Sequence, residues 1–166
     1  MCEARSIDNI EAMVLLVVYH LRTASSHGMW YMIGLAMRTA IDLGLHRKAN
    51  ESNLDPFTTQ MRRRLFWTVY YLERVVSMSL GRPFSISDRH IDLDLPLEVD
   101  DDIEDPTLLT APLDPNKTTT LTFAIYLFKL RRIDSRIQHK IYRADRPLSS
   151  LRPKMDPLYI ELEQWK

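Results

Sequence analysis

The stretch DPFTTQMRRRLFWTVYYLERVVSMSLGRP, Asp55 to Pro83, decides the fold. Asp55 suits an N-cap, where a carboxylate accepts orphan N–H groups, and Pro56 fills the first helical position, where its missing N–H costs nothing. Gly81 and then Pro83 end the helix in the expected order. The run to Leu80 makes about 25 helical residues, roughly 37 Å at 1.5 Å per residue. Met61, Leu65, Val69, Leu72, Val76 and Leu80 recur every three or four positions and form one apolar stripe, with Phe66, Tyr70 and Ser77 beside it.

Upstream, the same period predicts two more helices. Trp30, Ile33, Met37, Ile41 and Leu45 give a stripe over Met29 to Leu43, with Arg38 and Asp42 four apart on the other side and Gly44 at the left-handed position past the end. Ile10 to Thr23 reads as a helix capped by Asp8, with Glu11 completing a capping box. Its centre, Met13 to Tyr19, is apolar all round, which predicts burial on several sides. A buried strand competes for so many valines, but length and cap favour helix. Downstream, Phe123, Leu127, Leu130, Ile133, Ile137 and Ile141 stripe a fourth helix over Leu121 to Tyr142. A fifth is expected from Asp156-Pro157 to the last residue, with Leu158, Leu162 and Trp165 on one side.

Residues 84–118 have no clear period and hold Pro96, Pro106, Pro112 and Pro115. Loops of that length are uncommon in compact domains. From Asp88 to Asp105 nine acidic residues face one arginine, whereas Lys129 to Lys154 holds nine Lys or Arg against two Asp. One expectation is that the acidic loop docks on the fourth helix by complementary charge, with Asp100, Asp101 and Asp102 contributing. The other is two independent solvated faces. The fold class is therefore all-α, an irregular bundle of about five main helices with a long acidic loop, and 166 residues suit a single domain spanning 1–166.

Composition narrows the function classes. The 22 basic and 22 acidic residues cancel, whereas a domain that grips DNA phosphates is normally basic. The single cysteine, Cys2, supports neither a disulfide framework nor a cysteine zinc site. The longest apolar run, Ala12 to Tyr19, is far shorter than the roughly 20 residues of a membrane span, so no membrane partner is expected. Acidic residues Glu3, Asp8 and Glu11 replace the basic start of a signal peptide, which predicts an intracellular protein.

Reaction chemistry finds little to stand on. No His-Glu-x-x-His pair, Gly-x-Ser-x-Gly elbow or phosphate loop occurs among five histidines and four glycines, so no catalytic residue and no enzyme is expected. His90 with Asp88, Asp92 and Asp94 is the nearest approach to a metal cluster, without the central Gly of a calcium loop, and a solvated acidic loop is the plainer reading. Arg62, Arg63 and Arg64 span about 200° of helix and cannot all face one partner. One or two should be solvated and one should pair or snorkel. Trp30, Met37, Phe66 and Tyr70 are candidates for an apolar ligand pocket, set against ordinary core packing.

Four segments in order carry a resemblance. They are WYMIGLAMRTAIDLGLHRK (Trp30 to Lys48), RRRLFWTVYYLERVVS (Arg62 to Ser77), SLGRPFSISD (Ser79 to Asp88) and DLDLP (Asp92 to Pro96). Their order and spacing are similar to the fungal-specific transcription factor domain, the middle homology region of fungal zinc-cluster regulators. The likeness covers about Ile10 to Pro96. It departs at Glu73, where the family usually has Asp before Arg74. The motif positions are Arg38, Gly44, Leu45, His46, Arg64, Trp67, Glu73, Arg74, Gly81, Arg82 and Pro83, all expected to be structural. Gly44 and Gly81 end helices, Arg82 faces a helix C-terminus, and Arg64, Glu73 and Arg74 are expected to form buried or half-buried pairs.

The resemblance implies a nuclear regulatory domain that holds an activator in check or responds to metabolites. DNA contact and zinc would belong to a separate N-terminal six-cysteine cluster, absent from these residues, and no cofactor is expected here. Implied partners are other domains of the same factor, co-regulators and a small-molecule effector. A helical interaction scaffold without a ligand is the competing class. The last helix runs out with no stop signal, which suggests a fragment of a longer factor.

Overall fold

The computed structural model describes residues 6–23, 28–100, 109, 117–142 and 151–166. Five α-helices carry the fold: α1 (Ile7–Arg22), α2 (Met29–Asp42), α3 (Pro56–Ser79), α4 (Thr122–Lys140) and α5 (Arg152–Trp165). Short 3-10 turns lie at Lys48–Glu51 and Asp88–His90, and no strand occurs among the described residues. The all-α class is as the sequence indicates. Helices α1, α2 and α3 pack on one another, α4 packs on α3, and α5 packs on α4. The core gathers Ile10 and Val17 from α1, Ile33 and Met37 from α2, and Phe66, Trp67, Val69 and Tyr70 from α3. Ile86, Leu93 and Phe128 close it from the far side.

Helix α3 begins as its sequence dictates, with Asp55 Oδ1 accepting from the Thr58 N–H at 2.9 Å. Helices α2 and α3 end alike. Leu45 N–H donates to Ala40 O and Arg82 N–H to Ser77 O, each reaching back five residues over a glycine at φ 67° (Gly44) or 63° (Gly81). This is the closed C-terminal turn expected of a left-handed C′ residue, and it folds Leu45 into the core.

Several expectations are corrected. The α1 cap is Ser6, whose hydroxyl accepts from Asn9 N–H at 3.2 Å, so the helix starts two residues earlier than an Asp8 cap implies. Asp8 lies in the first turn, where a carboxylate complements the helix dipole. Only Ile10, Val14 and Val17 of α1 are buried, while Leu15, Leu16, Val18, Tyr19 and Leu21 face outward. In α3 the buried band lies to one side of the expected stripe. Met61 and Leu80 are exposed at its ends, and Phe66, Trp67 and Tyr70 go inside. In α4 Ile125 and Phe128 are buried and Phe123 is exposed. Helix α5 starts at Arg152, ahead of Asp156-Pro157, and keeps Pro157 within it. The carbonyl that Pro157 leaves without its helical N–H belongs to Pro153, in an exposed first turn open to water.

Residues 84–100 form an ordered strap, with Ile86, Leu93 and Val99 buried. The rest of the expected loop, Leu109 and residues 117 and 118 apart, lies outside the described residues, as do Asp101 and Asp102.

Candidate functional site

The most buried polar side chains are on α3. Tyr70, Glu73, Arg74 and Ser77 are spaced by three, one and three, so they share one helical face. Glu73 is 1% exposed and Arg74 0%. Arg74 Nη1 donates to Glu73 Oε2 at 2.7 Å, and its Nη2 donates to the Ile86 carbonyl at 2.7 Å and to Asp88 Oδ1 at 3.2 Å. The guanidinium lies 3.8 Å from the centre of the Tyr70 ring and 4.8 Å from that of Phe84. Glu73 Oε1 accepts from Ser85 N–H at 2.7 Å. Asp88 Oδ1 also accepts from the Tyr70 hydroxyl at 2.9 Å and from Ser135 Oγ of α4 at 3.0 Å.

A buried charge is tolerated when it is paired and its remaining donors are satisfied. Arg74 is paired with Glu73 and Asp88 and donates to the Ile86 carbonyl, which draws the strap and α4 onto α3, while its buried Nε has no acceptor among the described residues. Burial pushes the Tyr70 phenol well above its ordinary range, and the adjacent Asp88 carboxylate adds to that against the opposing pull of Arg74. Tyr70 is therefore a fixed hydrogen-bond donor, not a proton carrier.

A second layer binds the strap to the start of α3. Arg63 grips Glu51 with two nitrogens at 2.7 and 2.6 Å. Asp92 accepts from Lys48 N–H at 2.9 Å and from Arg47 Nε at 3.1 Å, and Asp94 meets Lys48 Nζ at 2.6 Å. Trp67 Nε1 donates to the Asp94 carbonyl at 2.8 Å, and Gln60 Oε1 accepts from Leu97 N–H at 2.8 Å. The acidic strap thus finds its cations mainly at Arg47, Lys48, Arg63 and Arg74. Its polar contacts with α4 include Asp88 with Ser135, Arg89 with His139 and Glu98 with Thr122. Among the described residues no ion pair joins this run to the basic stretch Lys129 to Lys154, and Asp101, Asp102 and residues 143–150 lie outside them. Asp100 pairs with Lys117 at 2.9 Å.

Arg62 reaches the Leu43 carbonyl at 3.3 Å, so neither Arg62 nor Arg63 is one of the solvated arginines expected of the triplet. Arg64 is half-buried and lines a cavity of about 330 Å³ with Gln60, Val99 and Leu109. Arg82 is exposed and stacks 4.5 Å from Trp30, and Pro83 is exposed beside it. His46 is half-buried, and burial first, then Arg47, holds its imidazole below the ordinary range. Arg38 is exposed. Met37, Phe66 and Tyr70 have no exposed surface, so a ligand would reach them only by opening the core, whereas Trp30 is half-buried under the exposed Arg82. Among the described residues no three His, Cys, Asp or Glu side chains gather as a metal site. The lone cysteine does not fit a six-cysteine zinc cluster. Asp88 is the residue that sequence reasoning left in a solvated loop.

Fold and site together define an all-α domain organised around a buried ion cluster. A family model described as "Fungal specific transcription factor domain" matches residues 2–166. The chain belongs to that family and is a fungal transcription factor domain. It is 34% identical to Pyrimidine pathway regulatory protein 1 of Saccharomyces cerevisiae over 96% of this chain and 19% of that protein. The Positive regulator of purine utilization of Emericella nidulans is 31% identical over 80% of the chain and 15% of its own length. Transcriptional activator protein acu-15 of Neurospora crassa is 27% identical over 98% and 18%. The chain thus spans less than a fifth of the length of these relatives. No solved structure matches it.

Proposed function

We propose that this chain is the effector-responsive middle domain of a nuclear transcription regulator, controlling DNA-templated transcription without reading DNA itself. One observation carries the reading. Three elements, α3, the strap that follows it and the more distant α4, meet at the buried Glu73–Arg74–Asp88 cluster. A ligand or partner that prefers one packing of these elements shifts the population toward it, and the cluster transmits the shift because its charges must stay paired. Zero net charge and a single cysteine support assigning DNA contact and zinc to a separate N-terminal cluster of the full-length protein.

The test is a thermal-shift screen of the purified chain. Pyrimidine- and purine-pathway intermediates come first, since two relatives carry those pathways in their names. A ligand that binds only the native state raises the melting temperature, by about 2.7 kcal/mol of stabilisation at a hundred times its Kd. The same compound should change reporter output from the full-length factor. If no metabolite shifts the melting curve while co-regulators bind, the second reading, a helical interaction scaffold, replaces the first. The outward apolar side of α1, with Leu15 69% and Tyr19 63% exposed, is what favours that alternative.

A further inference from the structure

The molecule is neutral overall, but its cations are not evenly answered. On α4, Lys129, Arg132 and Arg136 stand at i, i+3 and i+7, one face about 10 Å long. Helix α5 forms the opposite wall with Glu161 and Trp165, and the groove between them holds about 350 Å³ over the buried Ile133. That volume falls within the range of small-ligand sites.

Only one of the three cations is answered by a carboxylate. Arg136 Nη2 pairs with Glu161, and its Nε is buried without an acceptor among the described residues. Lys129 lies 5.1 Å over the Tyr126 ring and Arg132 5.9 Å over the Trp67 ring, and among the described residues neither has an ion pair. The neighbouring acids are engaged elsewhere, Asp134 with Arg131 and Glu163 with Lys166. Trp165 is held by its Nε1, which donates to the Tyr126 carbonyl at 2.9 Å. The groove therefore offers two uncompensated positive charges beside a fixed indole.

We infer that the α4–α5 groove binds a small organic anion, a phosphate or dicarboxylate carried on a flat apolar body. The anion bridges Lys129 and Arg132, and the flat body lies against Trp165. Arginine and lysine together recognise such oxyanions by charge-assisted hydrogen bonds. The site lies apart from the Glu73–Arg74 cluster but touches its neighbour. Drawing Arg132 toward an anion pulls it from the face of Trp67, which holds the strap at Asp94. The regulatory consequence rests on the effector reading above, but the binding does not.

The probes are phenyl phosphate, phthalate and inorganic phosphate, titrated calorimetrically into the purified chain. Phenyl phosphate should bind more tightly than inorganic phosphate, and Trp165→Ala should remove that preference. Lys129→Gln with Arg132→Gln should weaken both by about tenfold or more. Lys140→Gln should change neither. Circular dichroism of each variant checks that it folds, and both replaced cations are exposed. Binding unchanged in the double variant overturns the site, as does the absence of binding by all three probes. Tighter binding of a decaglutamate peptide than of phenyl phosphate overturns the small-molecule class in favour of an acidic segment. A neutral metabolite that raises the melting temperature while every anion fails overturns this inference and leaves the effector reading standing.

Discussion

At the scale of single residues, the buried cluster sets the largest expected effects. Replacing one member of a buried ion pair leaves the other charge uncompensated, at about 3–5 kcal/mol. Arg74→Met should therefore lower the urea midpoint by that free energy divided by an unchanged slope. Glu73→Gln together with Arg74→Met should cost less than the two singles added, because the buried carboxylate is then neutral as well. Strict additivity would show that the pair is not coupled. The two C′ glycines should differ. A Cβ at Gly81 meets nothing within 4 Å, so Gly81→Ala should cost only the left-handed strain, roughly 1–2 kcal/mol. A Cβ at Gly44 falls 2.1 Å from Asn50 Nδ2, which itself donates to the Gly44 carbonyl, so Gly44→Ala should unfold at the lower denaturant concentration. Both glycines and the Glu73–Arg74 pair were legible in the sequence. Asp88 was not, because charge counting grouped it with eight other acids. The available signal was its company: Phe84 and Ile86 just before it mark a packed segment, and an acid in a packed segment near a buried arginine is a partner.

At the scale of elements, helix existence was legible, and helix faces were legible in α2 and in the middle of α3 but not in α1. Period locates five helices, since it is a local property of the chain, and the end signals held at Asp55, Gly44 and Gly81. Which face is buried depends on which neighbours arrive, so the inward side of α3 moved onto Phe66, Trp67 and Tyr70, and α1 kept a bare apolar flank. The strap defeats sequence reading for the same reason, since its order comes from long-range hydrogen bonds with no period of its own. Those bonds make it sensitive to acid. The Lys48 N–H, then Arg47, holds the Asp92 carboxyl below the usual carboxylate range, and Lys117, then the Thr120 N–H, does the same at Asp100. A carboxyl depressed in the fold contributes stability that is present above its unfolded value near 3.8 and is lost as pH falls through the folded one. Hydrogen exchange at the Lys48 and Thr120 amides should accelerate on going from pH 6 to about pH 3, beyond the intrinsic pH effect. Asp92→Asn should remove the response at Lys48 alone.

At the scale of the whole molecule, the packing divides into α1–α3 with the strap, and α4–α5, joined across a narrow seam. Phe128 is the apolar centre of that seam, stacked 6.2 Å from Trp67 and edge-on to Tyr71 at 6.4 Å, with Ser135 to Asp88 as its polar neighbour. A regulator that works by shifting helix packings needs such a joint, weaker than the layers it connects. Phe128→Ala should cost about 3–5 kcal/mol, the usual effect of emptying a buried phenylalanine site. The cost should fall unevenly. Exchange protection should drop in α4 and α5 and persist in α2 and α3, whose contacts with α1 do not pass through Phe128. Far-UV dichroism should keep most of its helical signal, while Trp67, stripped of a stacking partner, should change its emission. Equal loss of protection in all five helices would mean that the molecule unfolds as one unit, and a packing shift at this seam could not then be the regulatory step.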